Sequence, residues 1–246
     1  MALIDKPVLS IGSLRPMGRS GILVDWAVLQ NMGAHPVTVV AGVVINEEDV
    51  EAVESSLLRR QLNSFMTEVK IDAVKTGLLV TRENIETIAT FFEDNQHHVD
   101  HLVVDACLES SEEMVLLSST AVSLLKMRLL PQAEVVVAYP SEAERLSGQP
   151  VKSITEMKEA AEAIKIYGSK YVLIKADRRI DDEWVDVLYD GIEHQLLFIK
   201  EEPRINWRLY RDVFSSALAV FLLNSNTVQK AVESANNFTM GYRIPE

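Results

Sequence analysis

Residues 71–79 read IDAVKTGLL, a mostly apolar run that predicts a buried strand ending in a loop. Thr81 follows at the position of a helix N-cap, because its hydroxyl can accept a hydrogen bond from a free backbone N–H group. Ile85, Ile88 and Phe92 then recur at helical spacing. This stretch therefore predicts a strand, a loop and a helix in succession, the repeating unit of an α/β sheet.

The same alternation extends along the chain in both directions. Further strands are predicted at residues 8–11, 37–45, 101–105, 134–138 and 171–175. Further helices are predicted within residues 20–33, 119–130, 155–167 and 212–223 and from 228 onward. Residues 184–188 and 195–199 flank Asp190-Gly191 as a hairpin. The pattern predicts one α/β domain over residues 1–246, with a mostly parallel central sheet, helices on both faces and a ligand site beyond the carboxyl ends of the strands.

Two helix starts are predicted from polar residues. Asn46 is a candidate N-cap for a helix that runs through Leu62, with Glu47 and Glu48 near its positive end. Asp212 precedes the apolar run FSSALAVFLL and is expected at a helix start. There its carboxylate either caps the helix or serves as a base for a bound hydroxyl.

Composition excludes several classes of function. The formal net charge of −12 argues against broad attraction to nucleic acid or to an anionic membrane surface. No apolar stretch has the length of a membrane-spanning helix, and the first residues lack a signal-peptide pattern, so we expect a cytoplasmic protein. Cys107 is the only cysteine and is expected to be an inert thiol.

Short motifs do not identify a nucleotide or metal site on their own. Gly12, Gly18 and Gly21 follow the first strand with a spacing that matches neither the P-loop nor the dinucleotide fingerprint. The histidines at positions 97, 98 and 101 lack a convincing set of further ligands, so no metal site is predicted from them. Asp25, Asp105 and Glu142 can each be explained as surface or capping residues.

Six segments, taken in their order along the chain, resemble those of a known protein family. The segments are SGILVDWAVLQNMG, IDAVKTGLL, HLVVDACL, LLPQAEVVVAYPSEAERLSG, VDVLYDG and FSSALAVFLL. Across nearly its full length the chain resembles the hydroxymethylpyrimidine/phosphomethylpyrimidine kinases of the ribokinase-like superfamily. The resemblance implies a ribokinase-like fold, a homodimer, and ATP-dependent phosphorylation of hydroxymethylpyrimidine and its monophosphate in thiamine biosynthesis. Magnesium-ATP would be the cofactor if the chain is active.

The resemblance also implies roles for individual residues. Asp212 matches the family's catalytic base. The positions that match substrate-binding residues are Gly18, Asp25, Asn46 and Leu78. The positions implied to support nucleotide or phosphate are Lys75, Glu142, Lys175 and Arg211.

Several positions depart from the family pattern. The glycine-rich anion hole, usually GTGC or GTGD, aligns with Leu209-Tyr210-Arg211-Asp212, so both glycines are missing. Tyr139 replaces an asparagine that helps to organise metal and phosphates, and Ala176-Asp177 replaces two glycines. Larger side chains at such positions hinder close approach of backbone amides to a phosphate. We therefore expect kinase activity to be weak, altered or lost.

Arginines suggest an alternative function. Arg15 and Arg19 lie in the first loop, where the family has an aspartate and a glycine, and others occupy later loops. The full set proposed for anion binding is Arg15, Arg19, Arg178, Arg208 and Arg211. If they converge, they could bind phosphate or carboxylate groups bidentately. The chain would then be an inactive sensor or regulatory protein for a small anionic metabolite.

Overall fold

The computed structural model describes seven parts of the chain. They are residues 6–17, 20–46, 49–65, 69–95, 99–108, 117–199 and 207–243, with the backbone alone described at positions 207 and 208. Gly18 and Arg19, both named above as candidate site residues, lie outside the described residues.

All described strands form one nine-stranded sheet in the order β3-β2-β1-β4-β5-β6-β7-β8-β9. The strands are β1 (Pro7–Leu14), β2 (His35–Val44), β3 (Val50–Ala52), β4 (Ile71–Thr76), β5 (Val99–Asp105), β6 (Val135–Ala138), β7 (Tyr171–Ile174), β8 (Val185–Tyr189) and β9 (His194–Phe198). Six strands, β2, β1, β4, β5, β6 and β7, run parallel to one another. At the two sides of the sheet, β3 pairs antiparallel with β2, β8 pairs antiparallel with β7, and β9 pairs antiparallel with β8. The prediction of a mostly parallel sheet is confirmed, as is the β8–β9 hairpin.

Helices cover both faces of the sheet. They are α1 (Ile22–Asn31), α2 (Ser55–Ser64), α3 (Arg82–Asp94), α4 (Ser119–Leu124), α5 (Pro140–Ser147), α6 (Ile154–Lys165), α7 (Trp207–Leu222) and α8 (Val228–Gly241). A short π-turn (Leu125–Leu129) and a 3₁₀ turn (Leu130–Gln132) continue the α4 segment to Gln132, one residue beyond Pro131, which lies in the first turn of the 3₁₀ element, where a proline is tolerated. Thr81 caps α3, its hydroxyl accepting from the Asn84 N–H.

The alternation of side chains along the central strands divides the core into two layers. Leu9, Val74 and Val104 pack with α2 to α6 on one face. Val8, Ala73 and Val103 pack with α1, α7 and α8 on the other. Each central strand is therefore apolar on both sides, which explains the nearly continuous apolar runs in the sequence.

Two predicted helix starts are wrong. Asn46 does not cap a helix, because it lies in the turn between β2 and the antiparallel strand β3, where its N–H donates to the Asp49 carbonyl at 3.3 Å. The following helix, α2, begins only at Ser55. Asp212 does not stand at a helix start either, because α7 is already helical at Trp207.

No helix among the described residues is long and apolar enough to cross a lipid bilayer. The edge strands of the described sheet are β3 and β9. A homodimer formed through a sheet edge, and a single domain over the whole chain, stay predictions.

Candidate functional site

Six charged side chains converge at the carboxyl edge of the parallel strands. We call them the charged cluster: Asp25, Lys75, Asp105, Glu142, Arg211 and Asp212. They come from α1, β4, β5, α5 and α7, so only the folded sheet brings them together. Four are acidic and two are basic, which gives a net charge of −2 if all are ionised.

Asp25 is wholly internal. Its residue is 0% exposed, and its carboxylate accepts hydrogen bonds from the Ser10 hydroxyl at 2.6 Å, the Ser216 hydroxyl at 2.8 Å and the Lys75 ammonium group at 2.7 Å. Burial of an ionised carboxylate is tolerated only with such partners. The surface interpretation of Asp25 is therefore wrong, and in this conformation its oxygens already have donors within the protein.

Lys75 joins Asp25 to the candidate base Asp212. Its Nζ atom lies 3.4 Å from Asp212 Oδ1, and the Gly21 N–H donates to Asp212 Oδ2 at 2.7 Å. Burial alone would lower the pKa of Lys75, but the attraction of Asp25, Asp212 and Asp105 outweighs it and raises that pKa above its usual range. The ammonium group therefore stays charged at neutral pH.

The environment of Asp212 suits a general base. Burial raises the pKa of Asp212 to about 6, although Lys75 opposes the shift. A carboxylate with this pKa is mostly ionised at neutral pH and is a stronger proton acceptor than an ordinary aspartate. Its partner Gly21 must be glycine, because φ is +73° and a Cβ atom would stand 2.2 Å from the Ser13 carbonyl oxygen.

Arg211 bridges two buried carboxylates. Its Nη1 donates to Glu142 Oε1 at 2.6 Å, its Nη2 donates to Asp105 Oδ1, and its guanidinium carbon lies 4.9 Å from the centre of the Tyr139 ring. The arginine side chain is only 12% exposed. Its charge is therefore directed into the protein.

Glu142 is fixed from three sides. Its Oε2 accepts from the Tyr139 N–H and its Oε1 from the Leu108 N–H, each at 3.1 Å, so it completes the cap of α5 while it binds Arg211. Burial raises the pKa of Glu142 to about 7, against the lowering influence of Arg211. The capping interpretation of Glu142 holds, whereas Asp105 is buried and its surface interpretation is wrong.

The segment aligned with the anion hole is helical. Leu209 to Asp212 lie inside α7, which runs unbroken from Trp207 to Leu222. In an α-helix that begins at Trp207, the amides of residues 211 and 212 donate to carbonyls four residues earlier. These two amides are therefore used within the helix and do not face a ligand.

Lys175 lies in a separate internal network. Its ammonium group binds Asp186 at 2.6 Å and Asn236 at 2.7 Å, and it sits 3.7 Å from the centre of the Phe214 ring. Lys175 and Asp186 are both fully buried. An ammonium group without a solvent-facing side is not placed to contact a phosphate, so the geometry favours a structural role over the phosphate-binding role.

The other substrate positions are dispersed. Leu78 packs its side chain into the core, while its carbonyl accepts from the Ser13 hydroxyl at 3.0 Å. Asn46 is exposed in the β2–β3 turn. Their roles in substrate binding stay predictions.

The arginines proposed for anion binding differ in their surroundings. Arg178 is half exposed and pairs with its neighbour Asp177 at 3.0 Å, and Arg15 is partly buried in the loop after β1. Arg211 is held by Asp105 and Glu142. For Arg208 only the backbone, in the first turn of α7, is described. Arg178 and Arg211 are therefore each paired with acidic side chains, and the convergence of the five arginines stays a prediction.

Cys107 and His101 lie near strand β5. Burial raises the pKa of the Cys107 thiol to about 12, which agrees with an inert, protonated thiol. His101 Nδ1 lies 2.5 Å from Glu134 Oε2, and the histidines at 97 and 98 are outside the described residues. The described chain contains no group of three or more histidine, cysteine or acidic residues arranged to hold a metal.

Sequence reasoning missed the two serines that bind Asp25. Ser10 interrupts the apolar strand VLSIG, and Ser216 interrupts the apolar helix FSSALAVFLL. A polar residue at a core position needs a hydrogen-bond partner, and that was the available signal.

The carboxylates of the cluster do not fit a magnesium ion in this arrangement. Mg²⁺ needs carboxylate or phosphate oxygens in octahedral geometry. Asp105 and Glu142, which could supply them, are already bridged by Arg211, and Asp25 is bound by Lys75 and two hydroxyl groups. We therefore derive no step through a metal.

Comparison with known proteins identifies the family. The family model for phosphomethylpyrimidine kinase matches residues 16–243. The chain belongs to the phosphomethylpyrimidine kinase family. It is 30% identical over 241 residues to the hydroxymethylpyrimidine/phosphomethylpyrimidine kinase of Streptomyces coelicolor, covering 95% of this chain and 87% of that protein. The recognition from sequence segments is confirmed.

Two further relatives extend the comparison. A thiamine biosynthesis bifunctional protein of Geobacter sulfurreducens is 28% identical over 94% of this chain, which spans about half (48%) of that relative. The ADP complex of Bacillus subtilis pyridoxal kinase superposes with a TM-score of 0.85 and 26% identity, covering 95% of this chain and 90% of that one. The ribokinase-like fold is confirmed. Homology supports a kinase of the thiamine pathway as the general function of the family to which the chain belongs.

Proposed function

We propose that the chain is a phosphomethylpyrimidine-kinase-like protein whose ordinary magnesium-ATP-dependent activity is weak or lost. The observation that carries this proposal is the continuous helix across residues 209–212. Its amides at 211 and 212 are engaged within α7, so they cannot stabilise charge on a transferring phosphate. Removal of one well-placed donor of this kind costs about 100- to 1,000-fold in turnover.

Part of the catalytic arrangement is retained. Asp212 is held by Gly21 and Lys75 and would accept the proton of a substrate hydroxyl. The substrate class that the relatives' names suggest is a hydroxymethylated pyrimidine or its monophosphate. Pyridoxal is a second candidate, because a kinase for it is among the structural neighbours.

An anion-binding sensor receives less support from the charged cluster. Arg211 is the cluster's only arginine, and two carboxylates bind it. The cluster holds four acidic groups against two basic ones, so its excess of carboxylates would repel a phosphate rather than attract it. This alternative now depends on the other arginines of the proposed set, Arg15, Arg19, Arg178 and Arg208.

Turnover measurements test the proposal. Phosphorylation of hydroxymethylpyrimidine, its monophosphate and pyridoxal would be measured with magnesium-ATP, alongside the Streptomyces coelicolor relative and with direct ligand binding on the same preparation. We expect turnover at least about 100-fold below that relative, and we expect Asp212→Asn to abolish what remains. The control Asp100→Asn alters an exposed carboxylate and should leave turnover unchanged. Turnover within tenfold of the relative, lost in Asp212→Asn, would contradict the proposal.

A further inference from the structure

We infer that the guanidinium group of Arg211 is a resident cation that occupies the Asp105–Glu142 carboxylate pair and excludes divalent metal ions from it. Loss of the arginine charge would then create a metal-binding site in this chain. The inference concerns metal binding alone and does not depend on whether the protein turns over a substrate.

The geometry makes arginine and metal mutually exclusive. The two oxygens that a metal ion would need first, Asp105 Oδ1 and Glu142 Oε1, are the acceptors of Nη2 and Nη1 of Arg211. A planar guanidinium group binds two carboxylate oxygens at once and remains charged at any ordinary pH. A divalent ion would have to displace it and would be repelled by it at close range.

The protein holds Arg211 in this position. Its neighbours in α7 are Tyr210, which is fully buried, and Asp212, which is tied to Gly21 and Lys75. The Tyr139 ring lies against the guanidinium group at 4.9 Å, a distance at which an aromatic face attracts a cation. Tyr139 therefore helps to stabilise the guanidinium charge in this position.

A second observation indicates that Asp105 and Glu142 could bind a metal ion if Arg211 were replaced. Asp105 Oδ2 is buried and accepts no hydrogen bond from any described residue. Without Arg211, both Asp105 oxygens would be free of hydrogen bonds, and Glu142 Oε1 would retain only the Leu108 N–H. Glu142 is already oriented by the amides of Leu108 and Tyr139. Hard divalent ions prefer such oxygen ligands and complete their coordination with water.

A titration with Mn²⁺ as the probe tests the inference. Binding would be measured by calorimetry and by water-proton relaxation for the wild type, Arg211→Ala and Arg211→Gln. We expect one Mn²⁺ per chain in both variants, with an affinity at least tenfold above any wild-type binding, and a Mn²⁺-dependent rise in Tm in the variants only. Adding Glu142→Gln to Arg211→Ala should remove the new site.

A control variant and a refolding measurement make each outcome decisive. Arg178→Ala removes an exposed arginine that pairs with Asp177 and should bind Mn²⁺ no better than the wild type. If Arg211→Ala and Arg211→Gln both unfold in buffer, refolding with and without Mn²⁺ is followed by circular dichroism, and Mn²⁺-dependent refolding is the expected result. Equal Mn²⁺ affinity in the wild type and both variants would overturn the inference, as would folded variants that bind none or a failure of Mn²⁺ to refold them.

Discussion

Lys75→Met should lower the free energy of unfolding by about 3–5 kcal/mol, because it leaves an unpaired charge in the interior. Asp25 has no solvent exposure and would retain only the hydroxyl groups of Ser10 and Ser216 as donors. Denaturant unfolding at neutral pH, analysed by linear extrapolation, measures the change. The decrease in the free energy of unfolding measures how strongly Lys75 stabilises the buried carboxylates.

Lys70→Met is the matched control for this prediction. Lys70 also pairs with an aspartate, Asp100, at 3.4 Å, but the two side chains are 60% and 53% exposed. Exposed pairs of this kind contribute at most about 1 kcal/mol. If both variants lose only about 1 kcal/mol of unfolding free energy, the Lys75–Asp25 contact does not exist in solution.

Lys175→Met should destabilise the fold by a similar amount, about 3–5 kcal/mol. The substitution leaves Asp186 buried, with the Ala176 N–H and Asn236 as its remaining donors. The double variant Lys175→Met/Asp186→Asn should be more stable than Lys175→Met alone, because it removes the unpaired charge. Unfolding measured on the wild type, both single variants and the double variant gives the coupling energy.

The Lys175 experiment separates a structural lysine from a phosphate-binding one. A lysine that contacts phosphate through solvent would lose ligand affinity on substitution with little change in stability. Lys170→Met, which alters an exposed lysine shortly before β7, should change stability by no more than a few tenths of a kcal/mol. Additive losses for Lys175→Met and Asp186→Asn would contradict the internal pair.

Much of the architecture followed from periodicity in the sequence. The runs at residues 71–79 and 134–138 predicted β4 and β6, because strands buried on both faces are apolar along their length. The β2–β3 hairpin was missed, because three polar residues after β2 fit a helix start equally well. Pairing of Val44 with Val50 and of Gly42 with Ala52 decided the outcome, and such pairing is not visible in a local pattern.

The sequence predicted which residues belong to the candidate site, but it did not predict how they pair. Asp25, Lys75, Glu142, Arg211 and Asp212 were all named from the sequence, and the sheet brings them together. Their pairings were not predicted, because they join residues as much as 191 positions apart, as in the bond between Gly21 and Asp212. The early start of α7 was foreseeable in principle, since replacing both glycines with Leu209 and Arg211 removes the residues that disfavour a helix.

Calorimetry of magnesium-ATP binding to the wild-type protein tests the central claim most directly. The claim is that the helical segment 209–212 and the Arg211-bound carboxylates leave no ordinary magnesium-nucleotide site. We predict weak ATP binding that does not tighten when magnesium is added. A tight, magnesium-dependent affinity, with a Kd in the low micromolar range, on the order of −8 kcal/mol, would contradict the account.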